Sequence, residues 1–286
     1  VIKKHGLRTE FPEAVLEEAR EVATPVADEE LIRRRNLRDL RMVTIDGEDA
    51  KDLDDAVSIS KIPGGYRLGV HIADVSHYVR EDSRLDREAF ARGTSVYLID
   101  KVLPMLPQEL SNNICSLNAN QERLAMSCIM DIDRSGQVQK YDICKSVINI
   151  SERMSYTSVN RILVDDDPEE KAKYKELLED FYLMKELADI LRARRTAQGS
   201  LDFDFPESQV IVDENSFPVE IKRLQRGPGE MLIEDFMIKA NEVVAEHMYR
   251  QQVPILYRVH EKPDEESITK LNLVLGGFGH KIKGKK

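Results

Sequence analysis

Val43-Thr44-Ile45-Asp46-Gly47-Glu48-Asp49-Ala50-Lys51-Asp52-Leu53-Asp54-Asp55-Ala56-Val57 holds six acidic residues within ten positions, between apolar runs at Leu40 to Ile45 and Ala56 to Ile59 that read as strands. A solvated acidic loop rarely needs a strand on each side. Carboxylates packed this closely repel one another and raise one another's pKa unless a cation sits among them, so the stretch demands a bound metal. Asp46 ends one strand and Asp54-Asp55 open the next, a strand-end position where open sheets place ligand chemistry.

Outward from this loop, the turn Pro63-Gly64-Gly65 leads into a strand over Tyr66 to Ala73, and Arg123 to Ile132 with Val138 to Ile150 makes an antiparallel hairpin. Helices are expected over residues 11 to 24, Ser83 to Arg92 (stopped by Gly93), Asp167 to Gln198 (capped by Asp167 with Pro168 at the first position), Gly229 to Arg250 and Pro263 to Leu275. Ser95 to Ile99 looks extended, Leu103 to Pro107 is a Pro-fixed loop, and Val210 to Val212 with Val219 to Leu224 suggests a second hairpin. Ile255 to Val259 reads as a short strand, and the helical period breaks near Phe203 to Pro206. Strands and helices interleave without strict alternation, so the fold class is α/β in the broad sense (α+β): a mixed, largely antiparallel β-sheet flanked by helices. Residues 1–36 form an N-terminal helix and connector, and 37–286 the main domain. Arg33-Arg34-Arg35 in the connector is expected to be a solvated face.

Composition is globular, with 41% hydrophobic and 33% charged residues over 286 positions. The formal net charge of −10 excludes a basic nucleic-acid mat, so an anionic substrate must be held by local cations and metal. Cys115, Cys128 and Cys144 show no C-x-x-C spacing; they read as buried free thiols in a reducing compartment rather than a zinc site. No apolar run of ~18 residues appears, so neither a membrane span nor a leader is expected and the cytoplasm is the default. The chain starts without Met and stops in a Gly- and Lys-rich stretch, as a fragment would.

Two commoner metal or phosphate loops fit poorly. Counting from Asp46, the fifth, sixth and twelfth positions are Ala50, Lys51 and Val57, where an EF-hand needs an oxygen ligand, Gly and Glu. Asp52-x-Asp54 echoes the D-x-D of nucleotide-sugar transferases and aspartyl phosphatases, but no apolar strand leads into it. Asp46, Asp52, Asp54 and Asp55 suit magnesium, or manganese, with few protein ligands, and two such ions would account for four Asp rather than two.

The run Thr44-Ile45-Asp46 with Asp52-Leu53-Asp54-Asp55 resembles the catalytic motif of the ribonuclease II / ribonuclease R exoribonucleases. Further matches follow in family order: His71-Ile72-Ala73-Asp74-Val75-Ser76, Tyr97 with Leu103 to Pro107, Arg153-Met154-Ser155-Tyr156-Thr157, Leu201 to Glu207, and Leu232-Ile233-Glu234-Asp235-Phe236-Met237. They are closer to the ribonuclease R branch. The resemblance implies a ribonuclease II-type catalytic domain that hydrolyses single-stranded RNA from the 3′ end to nucleoside 5′-monophosphates by a two-magnesium mechanism. Asp46 and Asp55 are then direct metal ligands, with Asp52 and Asp54 completing the catalytic site and orienting water. Tyr97 and Phe203 (or Phe205) are implied to stack on bases, Glu234 to contact ribose hydroxyls and Tyr156 to touch substrate. Glu48 and Asp49 lie outside the motif and read as solvated; His71 and His77 read as structural.

One departure matters. A later family segment of Thr-Ser-Pro-Ile-Arg-Arg-Tyr type supplies an Arg that clamps the scissile phosphate, and these 286 residues contain none; Arg194-Arg195 lies in another context. Flanking oligonucleotide-binding barrels are expected elsewhere in the parent chain, so the fragment alone should bind metal yet cleave slowly or not at all. Two alternatives are a magnesium-dependent phosphoesterase acting on small nucleotides and a non-catalytic RNA-binding protein of the same fold.

Overall fold

The structure is a computed structural model that describes residues 1–201, 203, 207–215, 217–224 and 226–282. Its strands are β1 (Arg35–Asn36), β2 (Val43–Asp46), β3 (Asp55–Ile62), β4 (Gly65–Ala73), β5 (Val96–Tyr97), β6 (Val102–Leu103), β7 (Glu122–Asp133), β8 (Val138–Asn149), β9 (Glu152–Ser155), β10 (Glu207–Val212) and β11 (Pro218–Leu224). Seven of them form one sheet in the order β1-β8-β7-β4-β3-β2-β9. The central pairings are antiparallel, and the two outermost, β1 with β8 and β2 with β9, are parallel. This is the mixed, largely antiparallel sheet that the strand pattern implied. β5 pairs with β6, and β10 with β11, as separate ribbons.

Side chains alternate across a strand, so each central strand feeds two cores. Val57, Ile59, Leu68, Val70, Met130 and Ile132 face one side, where they pack with Phe181, Met184, Leu187 and Leu191 of helix Leu178–Ala197 and with Phe236 and Ala240 of helix Pro228–Arg250. Ala56, Ala73, Ala125 and Ile148 face the other side, packing with Leu53 and Leu117. Helices Glu13–Val22 and Arg84–Arg92 close a third cluster through Val15, Ala19, Leu85 and Ala89. Ser83 caps the latter helix by accepting the Asp86 N–H, and Gly93 stops it at φ 76°. These clusters belong to a first compact unit, residues 1–244; a second, residues 245–286, takes the last residues of helix Pro228–Arg250 and contains helix Glu265–Gly276 with Asp264 as its cap.

Four expectations are corrected. The single helix from Asp167 breaks at Tyr174 (φ −107°, ψ 31°) into Pro168–Lys173, a 3-10 turn Lys175–Leu177 and Leu178–Ala197. The bend buries Leu177, and Arg41 donates to the freed Glu176 carbonyl at 2.7 Å. Residues 255–259 pair with no strand among the described residues, and Leu256 and Val259 remain exposed. Arg34 is not solvated: its side chain is 1% exposed, 2.7 Å from Asp74 and 2.8 Å from Glu30, because a guanidinium with two carboxylates tolerates burial where a lone cation does not. Arg33 and Arg35 stay exposed. Cys115 and Cys128 are buried free thiols as anticipated, while Cys144 is partly exposed. Among the described residues no helix is long and apolar enough to cross a membrane.

His71 is fully buried between Ser58 (3.0 Å) and Ser127 (2.7 Å), and burial pushes its pKa down to about 4, so it is a neutral bridge between strands. Gly69, paired with Ser58 across β3 and β4, makes room for it: a Cβ there would meet the Ser58 Oγ at 2.4 Å and the His71 Nε2 at 2.7 Å. Gly69→Ala should therefore destabilise the fold by about 1–3 kcal/mol, and Ser58→Ala in the same chain should recover part of the loss. Urea unfolding of the three proteins tests this; a single mutant with an unshifted midpoint would show that the strand crossing yields freely.

Candidate active site

The loop between β2 and β3 is shaped from beneath. Leu53 is fully buried, its N–H donates to the Ser116 Oγ (3.1 Å) and its carbonyl accepts from the Leu117 N–H (2.9 Å). The Ser116 hydroxyl donates in turn to the Lys51 carbonyl (2.9 Å). Arg123, itself buried, holds this support in place by donating to the carbonyls of Ser116 (2.8 Å) and Asn113 (3.1 Å). With one apolar side chain drawn inward, Asp52 and Asp54 on either side turn toward solvent. The Asp54 carbonyl accepts from the Ala73 N–H, and β3 begins at Asp55. From above, Arg153 on β9 donates to the carbonyls of Glu48 (2.9 Å) and Ala50 (2.6 Å).

The parallel pairing of β2 with β9 sets Asp46 beside Ser155, and Ser155 caps the short helix that Tyr156 opens. Asp46, Asp54, Asp55 and Tyr156 thus share one end of the sheet. One carboxylate oxygen each of Asp46 and Asp55 is buried without a hydrogen-bond partner. Burial pushes the Asp46 pKa up to about 7, with Asp55 and Asp54 adding to it while Arg153 opposes. Burial and Asp54 push Asp55 up to about 6, and burial and Asp52 raise Asp54. The Tyr156 hydroxyl is pushed up to about 12 by burial and by the charges of Asp46, Asp55 and Glu230.

Tyr97, 64% exposed, donates its hydroxyl to the Asp52 Oδ2 at 2.8 Å, which with burial raises its pKa to about 12. Glu48 and Asp49 are exposed. The geometry thus gathers the four aspartates, Tyr97 and Tyr156. Phe203 is exposed, and Phe205 lies outside the described residues. Glu234 is paired with Arg226, while Glu230, one turn earlier, accepts from the Asn160 Nδ2 at 3.0 Å beneath Tyr156. Arg195 is bound to the buried Asp235.

Among the described residues no three His, Cys, Asp or Glu side chains stand in a metal-holding arrangement. Donor chemistry nevertheless fits a hard divalent cation: orphaned oxygens and mutually raised pKa values mark a surplus of negative charge that a cation would relieve. Magnesium takes only one or two carboxylates directly and keeps waters, so a closed cage is not required.

Residues 34–285 match the RNB domain family. The chain belongs to that family. It is 52% identical to Thermotoga maritima ribonuclease R over 99% of its own length and 40% of that protein's, and 44% identical to Lactococcus lactis ribonuclease R 1 over 99% of its own length and 35% of that protein's. It also superposes on a solved structure of Mycoplasma genitalium RNase R in complex with ribose-methylated single-stranded RNA, with a TM-score of 0.91, 32% identity, and 99% and 44% of the two chains covered. The RNB domain therefore spans well under half of the curated relatives it matches.

The raised carboxyl groups make the stability of this RNB domain depend on pH. A carboxyl whose folded pKa exceeds its unfolded value contributes stability below the unfolded pKa, here 3.8, and loses it as pH rises through the folded values of about 6 and 7. Without divalent cations the melting temperature should fall between about pH 4 and pH 7, Asp46→Asn should flatten that fall, and magnesium should restore stability increasingly as pH rises. Thermal unfolding with and without magnesium measures this; a magnesium effect independent of pH and of Asp46 would detach the cation from these residues.

Proposed function

We propose that this chain is the RNB portion of a 3′–5′ exoribonuclease that hydrolyses single-stranded RNA to nucleoside 5′-monophosphates, and that Asp46, Asp52, Asp54 and Asp55 hold magnesium or manganese. The observation that carries it is the pair of buried, unpartnered carboxylate oxygens on Asp46 and Asp55, at the sheet end where the four family aspartates meet. Bound divalent cations supply charge stabilisation to the attacking and departing oxygens of an in-line displacement. The protein's part is placement. Asp46 and Asp55, fixed by strands, are the direct ligands; Asp52 and Asp54 complete the site and orient the attacking water. Tyr97 offers an exposed ring beside Asp52 for a base, Phe203 closes the other end of the stack, and Tyr156 lines the floor. Stacking contributes about 1–3 kcal/mol per base without regard to sequence. Glu234, exchanging Arg226 for ribose hydroxyls, would favour RNA over DNA.

Hydrolysis is proposed for the whole protein, with oligonucleotide-binding modules and an Arg that clamps the scissile phosphate contributed by its other parts. A cytoplasmic setting suits three free cysteines. In the full-length protein, Asp54→Asn should lower hydrolysis by a factor on the order of 10² or more, while affinity for RNA changes little because Tyr97 and Phe203 remain. Gel analysis of 5′-labelled single-stranded RNA, run beside small nucleotide phosphodiesters, gives a shortening ladder if the proposal holds. Cleavage of nucleotides alone would replace it with a small-molecule phosphoesterase, and intact RNA with a binding protein; loss of affinity in step with activity would overturn the division of labour.

A further inference from the structure

The ribbon that carries Tyr97 emerges from the end of helix Arg84–Arg92 and returns at Pro104. Val96 pairs with Leu103 and Tyr97 with Val102, the Leu98 N–H donates to the Lys101 carbonyl at the tip, and the Met105 N–H donates to the Ser95 Oγ across the base. Two strands of two residues are too short to hold an orientation alone. The last residue of the helix supplies what is missing. The Arg92 side chain is only 5% exposed; its Nε donates to Glu88 (3.0 Å), its Nη1 to the carbonyls of Pro104 and Arg8 (3.2 Å each), and its Nη2 to the Glu10 carbonyl (2.6 Å). The Phe11 ring lies against the guanidinium at 3.6 Å, and Glu88 also accepts from Arg8 at 2.7 Å. One planar cation therefore joins the returning leg of the ribbon, the helix end and the N-terminal segment 8–11.

We infer that Arg92 is a positioning residue: through it the N-terminal segment sets where the Tyr97 ring stands over Asp52. This rests on the role proposed for Tyr97 above. Only a guanidinium serves, because its five donors are spread over a rigid plane whose face can also lie on Phe11; a lysine ammonium is a single point that cannot reach carbonyls on two segments while stacking on a ring. Movement of segment 8–11 would be felt through Glu88 and Arg92 at the aromatic ribbon before it reached the aspartates, which are held by separate contacts through Ser116 and Arg153.

The test uses the full-length protein with Arg92→Lys and, as a milder second variant, Phe11→Leu. Hydrogen exchange should accelerate in residues 94–105 while the β3, β4, β7 and β8 amides keep their protection. In RNA hydrolysis, kcat/KM should fall roughly tenfold for Arg92→Lys, but the same substitution should cost little in a Tyr97→Ala background, where there is no ring left to place. Unchanged exchange in 94–105 overturns the inference, as does an equal loss of kcat/KM in both backgrounds. If Arg92→Lys unfolds the protein, Phe11→Leu is judged by the same two outcomes. Should the wild-type protein degrade no RNA, the proposed function falls, and exchange over 94–105 still decides whether Arg92 holds the ribbon.

Discussion

The site depends on the burial of Leu53 in the middle of an acidic loop. Left alone, four carboxylates within ten residues would spread into solvent to reduce their repulsion. Here one apolar side chain is inserted into the core, and both of its backbone polar groups are satisfied by residues 116 and 117. Burying an isoleucine- or leucine-sized side chain is worth roughly 1.5–3 kcal/mol, enough to oppose repulsion across the open side. Arg153 adds its two bonds from the other side of the loop, to carbonyls rather than to carboxylates. That choice of acceptor matters: the loop is held while the carboxylate oxygens remain available.

The protein thus keeps its strain local. The sheet's apolar core, with Met130, Ile132, Leu68 and Val70 at its centre, also holds Tyr66 and Cys128, and burial pushes their pKa values up to about 12 and about 11, so they stay uncharged there, as does His71. Asp235 and Asp74 are also buried, but each is held by arginines, Arg192 and Arg195 for one and Arg34 for the other. Asp46 and Asp55 each bury an oxygen that has neither a hydrogen bond nor an arginine within ion-pair distance among the described residues. Among the described residues, Asp46 and Asp55 are the two motif carboxylates that combine a buried, unbonded oxygen with a strongly raised pKa.

Much of this was legible in the sequence because it is encoded locally. The strand on each side of the acidic loop, the Ser83 cap and Gly93 stop, the hairpin turn after Asp133 and the Asp167-Pro168 helix start all depend on neighbours within a few residues. What escaped notice depends on residues far away. β9 is four residues long, with no alternation to reveal it, and exists because β2 offers an edge. Arg34 sits in a run of three identical residues, and its burial depends on Asp74, 40 positions on, as well as on Glu30 one turn earlier. Tyr174 has no helix-breaking chemistry; the break follows from Leu177 needing the core. Ser116, Arg123 and Arg153 act through backbone carbonyls, which a sequence does not display, and Arg153 could be seen only as part of a family match.

The parallel alignment of β2 and β9 has a consequence for biosynthesis. Arg153 reaches a carbonyl 105 residues upstream, and the intervening chain must first be laid down as β3, β4, β7 and β8 before that edge can be occupied. Contacts of such long separation are slow to form, since loop closure must be completed before they give any return. On the ribosome, Asp46 and its neighbours therefore emerge well ahead of the strand that completes their surroundings. The nascent polypeptide passes through an interval in which its carboxylates are still open to water and ordinary in acidity, and the organised site appears only as the sheet's last edge is filled.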